Sequence, residues 1–140
     1  MMTVNEMHRR YHDSTGITFS SLYPGCIATS NLFREKRLWF RKLFPVFMKY
    51  VTGGFVGERE SGERLAQVVT DPKCKKSGVY WSWNGNAQQV GIKDLKSGAV
   101  SGAGGAGGEI FENEYSGLVN DRAQSERMWE LSAAAVGLKA

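Results

Sequence analysis

Between residues 97 and 108 the chain reads SGAVSGAGGAGG, a stretch that carries six of its 17 glycines. Nothing in it is larger than valine. The segment therefore has no side chain with which to build a core, and it loses much backbone entropy on ordering. It predicts a flexible loop. Its flanks hold Ile92, Leu95, Ile110, Phe111, Tyr115, Leu118 and Val119, which are expected to dock only weakly, so 87–119 reads as a Gly-rich insertion outside the packed fold. The remainder of the 140 residues suffices for one domain and is too short for two large ones.

Apolar residues make up 41% and charged residues 23%, a globular balance that argues against disorder throughout. Two cysteines, Cys26 and Cys74, are too few for a disulfide scaffold, and their spacing resembles no metal knuckle. No apolar run approaches the roughly 20 residues that a membrane helix requires. The opening MMTVNEMHRRYHD lacks the apolar centre of an export signal.

Hydrophobic periodicity orders the rest. Val4, Met7 and Tyr11 predict an amphipathic helix over about 2–12, which Thr3 could cap and which Asp13, Ser14 and Gly16 stop. The β-branched and aromatic run 17–23 predicts a strand that enters a turn at Pro24-Gly25. From 31 to 50, NLFREKRLWFRKLFPVFMKY mixes aromatic and basic residues, and Pro45 predicts two short helices instead of one. A helix over 60–69 should turn Leu65, Val68 and Val69 inward and end at Asp71-Pro72. Val79–Trp83 has strand composition. A final helix over 121–136, capped by Asn120 or Asp121 and closed by Gly137, should bury Met128, Leu131, Ala135 and Leu138. Two strands among helices make an α/β pattern that lacks a neighbouring layer.

Pro24-Gly25-Cys26-Ile27-Ala28-Thr29 is the best candidate for chemistry, because ligands of such sheets gather beyond the strand ends. Gly25 lets the backbone pass close to a ligand, and Thr29 with free N–H groups could hold a carboxamide or phosphate oxygen. An ordinary strand-to-helix turn, with Thr29 or Ser30 as cap, fits the same residues. Cys26 is either a thiol that donates a proton or contacts an apolar ligand, or a small buried filler. Cys74, in the basic KCKKSG turn, reads as exposed and incidental. The basic-aromatic run fits a lid over a large apolar ligand or a membrane-surface helix better than a nucleic-acid surface, for no nucleic-acid module is visible. Trp39, Phe40, Phe44, Phe47 and Tyr50 supply more aromatic area than a small polar substrate uses. His8 and His12 read as surface histidines without a third metal ligand. Glu58, Glu60 and Glu63 read as a solvated helix start. The glycines at 102–108 are not a dinucleotide loop, since they follow no predicted strand and open no helix.

HRRYHDSTGITFSSLYPGCIATSNLFRE, GERLAQVVTDP and SGVYWSWN together resemble the C-terminal part of the light-dependent NADPH:protochlorophyllide oxidoreductases, within the short-chain dehydrogenase/reductase family. The resemblance covers about 2–86 and the last helix. It implies the C-terminal portion of a Rossmann-like, doubly wound parallel sheet over 1–140, with kinked lid helices at 31–52 and a terminal helix at 121–138. It also implies NADPH as cofactor and protochlorophyllide, reduced at ring D to chlorophyllide after light absorption, as substrate. Pro24, Gly25, Ile27 and Thr29 then match the turn that closes over the nicotinamide half of the cofactor. Cys26 matches a cysteine of the pigment pocket, with a catalytic role in proton delivery. Trp39, Phe40, Phe44, Phe47 and Tyr50 fall on the helices that cover the pigment. The family pattern further implies a plastid location, peripheral membrane association and self-association of the full enzyme, with no nucleic-acid partner.

Two departures qualify this. The nucleotide-binding glycine loop and the Tyr-x-x-x-Lys pair of the family are expected upstream of Met1, which predicts that this chain is inactive alone. Gly57 stands where relatives carry a capping serine. The alternative is a non-catalytic pigment-binding or membrane-surface module. In either case no metal is expected.

Overall fold

In the computed structural model, residues 1–51, 53–85 and 105–138 are described. The elements run α1 (Met2–Thr15), β1 (Ser20–Leu22), a 3-10 turn (Asn31–Phe33), α2 (Leu38–Tyr50), α3 (Glu58–Thr70), a second 3-10 turn (Pro72–Cys74), β2 (Val79–Trp83), β3 (Ile110–Asn113), α4 (Gly117–Asn120) and α5 (Arg122–Ala135). The strands form one sheet in the order β1-β2-β3. Gly78 N donates to Phe19 O and Tyr23 N to Trp81 O, so β1 and β2 advance together in parallel. Asn84, just past β2, donates to Glu109, just before β3, so β3 runs back antiparallel. This is a partial Rossmann-like α/β fold, with an antiparallel strand where a wholly parallel sheet was expected.

The chain divides into two compact units. The first comprises Met1–Ser21, Lys75–Tyr80 and Asn113–Ala140. Within it α1 packs along α5: Tyr11 meets Trp129 at 5.9 Å between ring centroids, and the Arg10 guanidinium lies over the same ring at 5.3 Å. Glu6 is buried and paired with Arg9 and Arg10 on its own helix. The helix begins at Met1 without a side-chain cap, so Thr3 does not serve, and it ends on Gly16 at φ 68°. Asp121 caps α5 by accepting the Gln124 N–H, and Gly137 takes φ 73° after its end. The buried positions of α5 are Ser125 and Ala133. Leu131, Ala135 and Leu138, expected inside, are exposed.

The second unit comprises Leu22–Cys74 and Trp81–Glu112. Here α3 packs on the end of β2, with the Trp83 indole N–H donating to Gln67 Oε1 at 3.1 Å. The helix turns Ser61 and Arg64 inward, not the apolar trio: Val68 is half-buried, while Leu65 and Val69 are 54% and 75% exposed. Its N-cap is Gly57, with no side-chain cap bond. Cys74 is buried in its turn, contrary to its basic surroundings.

Two expectations are overturned outright. Pro45 does not divide α2, which runs unbroken across it, and the break falls earlier, between the 3-10 turn and Leu38. Phe33 from the turn packs on Phe44 at 4.9 Å, and Phe40 stacks on Phe44 at 4.9 Å, so an aromatic cluster anchors the helix up to the residue before the proline. Nor is the stretch from 105 to 119 without structure, since it holds β3 and α4. β3 gains its place by laddering onto β2, a long-range pairing invisible to local periodicity. The expectation of flexibility for 87–104 lies outside the described residues.

Candidate functional site

The turn after β1 is built around Gly25, whose φ of 110° suits glycine alone. A side-chain carbon there would collide with Val56, 2.7 Å from its Cβ, and lie 3.1 Å from the Arg64 guanidinium. Gly25 therefore faces the protein interior, and its missing side chain admits Val56 and Arg64, not a ligand. The next residue, Cys26, forms a parallel bridge with Phe55 and accepts the Val56 N–H at 3.0 Å. Its thiol is free and half-buried, and burial pushes its pKa up from the ordinary value of 9.0. Burial thus favours the protonated thiol over the thiolate.

Ser30, not Thr29, is the cap residue of the following 3-10 turn, and it makes no side-chain cap bond. Thr29 instead donates its hydroxyl to Glu58 Oε1 at 3.1 Å. With its proton so committed, the Thr29 oxygen presents lone pairs. It is suited to accept from the N–H of a carboxamide, and the adjacent carboxylate disfavours a phosphate at that atom.

Ala28, Thr29 and Ser30 open onto a cleft of about 320 Å³, whose opposite wall is Phe33, Leu38, Arg41, Lys42 and Pro45. Arg41 and Lys42 make no ion pair among the described residues. The turn and the start of α2 thus share one cavity lined by apolar, hydroxyl and cationic side chains. The five aromatic candidates are divided by the helix. Phe40 and Phe44 pack on Phe33, whereas Trp39, Phe47 and Tyr50 lie exposed on another face with Leu43 and Val46. None of the five lines the cleft.

Behind the turn sits a group that periodicity did not single out. Arg64, 4% exposed, donates from Nη1 to the Pro24 carbonyl at 2.8 Å. Its Nη2 reaches Glu60 Oε1 at 2.8 Å and the carbonyls of Gly105 and Gly107 at 2.9 and 2.8 Å. The guanidinium lies 5.1 Å over Trp83. Glu60 also accepts the Gly107 N–H at 2.6 Å, so it is a structural acceptor and not merely a solvated helix start. The one legible signal was the Glu60–Arg64 pair, four apart on a helix. His8 is tied to Ser77 and His12 to the Ile17 carbonyl, and no metal cluster is found among the described residues.

No protein-family model matches the chain. Individual proteins do. It is 54% identical over 138 residues, 99% of its length, to protochlorophyllide reductase A, chloroplastic, of Triticum aestivum, and covers 30% of that protein. Over almost its whole length the chain is thus similar to a part of the protochlorophyllide reductases. Identity is also 54% to the protochlorophyllide reductase of Avena sativa, of which it covers 37%, and 51% to the chloroplastic enzyme of Pisum sativum, of which it covers 29%. It spans about a third of the length of these protochlorophyllide reductases, and the alignment with them runs through the turn, α2 and the Arg64 helix alike.

Proposed function

We propose that this chain supplies the nicotinamide-side turn and pigment cover for light-dependent, NADPH-dependent reduction of protochlorophyllide to chlorophyllide. The observation that carries the reading is the free, half-buried Cys26 thiol, in a turn whose far end, at Thr29, opens onto a cleft. In this reading Thr29 accepts from the carboxamide of the nicotinamide, and Pro24, Gly25 and Ile27 set the backbone that places it. NADPH would supply a hydride to one carbon of the ring D double bond. Cys26 stands at the turn to contribute the proton for the other. The α2 aromatics Trp39, Phe40, Phe44, Phe47 and Tyr50 cover the pigment, the exposed ones gaining their burial from it.

The 140 residues contain no Tyr-x-x-x-Lys sequence, so the proton-donor and ribose-binding pair of the family has no counterpart among them. The chain alone is expected to bind pigment in the dark and to yield no chlorophyllide when illuminated with NADPH. Absorbance and fluorescence titration with protochlorophyllide tests binding. A saturable signal weakened about tenfold by Cys26→Ser supports the reading, and the absence of saturable binding overturns it.

A second reading has its own observation. Trp39, Leu43, Val46, Phe47 and Tyr50 form an exposed apolar stripe on α2, flanked by Lys42 and Lys49. That is the pattern of a helix lying in a membrane surface, and it agrees with a plastid location peripheral to internal membranes, as the chloroplastic designation of the wheat and pea relatives suggests. The same stripe could serve self-association in a longer protein. Among the described residues no helix is long and apolar enough to cross a membrane.

A further inference from the structure

We propose that Arg64 is a positioning residue for Cys26, acting through the Pro24 carbonyl, and that the Gly105–Gly107 backbone is part of the same clamp. The assignment of Cys26 as a proton source rests on the function proposed above; the clamp itself rests on geometry alone. A guanidinium has five N–H donors in a fixed planar fork. Here one arm holds the carbonyl immediately before Gly25, and the other is divided among a carboxylate and two carbonyls. The fork lies on the Trp83 ring, so it cannot tilt without losing both contacts.

The left-handed Gly25 leaves the turn few internal restraints. Its direction is set on one side by the Cys26–Val56 hydrogen bond and on the other by Arg64 at Pro24. Removing the second frees the Pro24–Gly25 peptide to rotate and carries the Cys26 thiol with it. The closing glycines belong to this arrangement by contact. A side chain on Gly105 would strike the Gly53 carbonyl, and one on Gly108 would strike Gly85, so these positions are glycine because backbones touch there. The last glycines of a segment that reads as pure flexibility thus bring two carbonyls to a buried cation.

Arg64 has a lowered pKa, from burial against the opposing pull of Glu60, and remains charged at neutral pH. Its loss also leaves Glu60 and two carbonyls without their donor, so general destabilisation must be separated from loss of positioning. Gln67→Ala provides the comparison: it removes the Trp83 indole bond from the same helix and touches neither Pro24 nor the glycines.

The experiment measures the alkylation rate of Cys26 in the full 140-residue chain by site-resolved mass spectrometry. The variants are Arg64→Ala, Arg64→Lys and Gln67→Ala. Arg64→Ala is expected to raise the rate at least fivefold, Arg64→Lys less, and Gln67→Ala less than twofold. Millimolar methylguanidinium should restore protection to Arg64→Ala and leave Gln67→Ala unchanged. Should Arg64→Ala fail to fold, Arg64→Lys against Gln67→Ala carries the comparison. A Cys26 rate unmoved in the Arg64 variants, or raised equally in Gln67→Ala, overturns the proposal. Pigment titration of the same variants separates the two claims. If the unaltered chain binds no pigment the proposed function fails, while the alkylation result still decides the role of Arg64.

Discussion

At Gly25 two penalties fall on any replacement. A φ of 110° is strained for a residue with a side chain, and the space that side chain needs is held by Val56 and Arg64. Strain and overpacking each amount to about 1–3 kcal/mol. Gly25→Ala should therefore lower unfolding stability by about 2–6 kcal/mol, as read from urea titration, whereas Gly57→Ala, in open space at ordinary φ, should change it little. The turn's PG pair was legible in the sequence; what fills the gap beside the glycine was not, because Val56 and Arg64 are 31 and 39 residues further along. The thiols add a pH dependence. Burial raises the pKa of both Cys26 and Cys74 above the ordinary 9.0, so the folded state holds these protons more tightly than the unfolded chain. Their contribution to stability is present in full below the unfolded thiol pKa and is lost as pH rises through the folded values. Tyr115, raised chiefly by burial, acts in the same direction at higher pH. Urea midpoints should thus fall between pH 8 and pH 10.5, and equal midpoints across that range would contradict the burial of these groups.

Element by element, local signals served where the chain decides locally. Gly16 and Gly137 end their helices in left-handed conformations, and Asp121 starts α5 by capping the Gln124 N–H. They failed where a distant partner decides. β3 exists because β2 offers it a ladder, and α3 orients by Arg64 instead of by its leucine and valines. α2 is the intermediate case. Pro45, eighth of its 13 residues, has no N–H for the Arg41 carbonyl, yet the helix continues past it, with the Phe33–Phe44–Phe40 cluster packed just before the gap. An interior proline costs a helix about 3 kcal/mol relative to alanine. Pro45→Ala should recover part of this, about 1–2 kcal/mol once the lost ring contacts in the cleft are deducted. Slower amide exchange at 46–49 would register the gain. Faster exchange there would mean that the proline ring packs better than its missing hydrogen bond harms.

Across the whole molecule, apolar side chains that periodicity assigns to the interior lie open in each unit. Leu131 and Leu138 are exposed in the first and Leu65 and Val69 in the second, and Val136 and the α2 stripe lie open as well. Periodicity identifies the side chains that gain by leaving water, but not the surface that covers them, and among the described residues nothing covers these. Exposed apolar area beyond a few hundred Å² promotes association, and a net charge of +4 offers modest repulsion against it. The chain in isolation should therefore self-associate reversibly as its concentration rises. Leu65→Glu with Val69→Lys tests the α3 face, since both residues point away from Arg64 and Gln67 and exposed substitutions usually change stability by less than about 0.5 kcal/mol. Sedimentation velocity should show the double variant nearer to monomer than the parent at equal concentration, with an unchanged thermal midpoint. A parent that stays monomeric to millimolar concentration would show these apolar faces to be tolerated in water. A variant that associates as strongly as the parent would move the contact from α3 to the α2 stripe, where Leu43→Glu asks the same question.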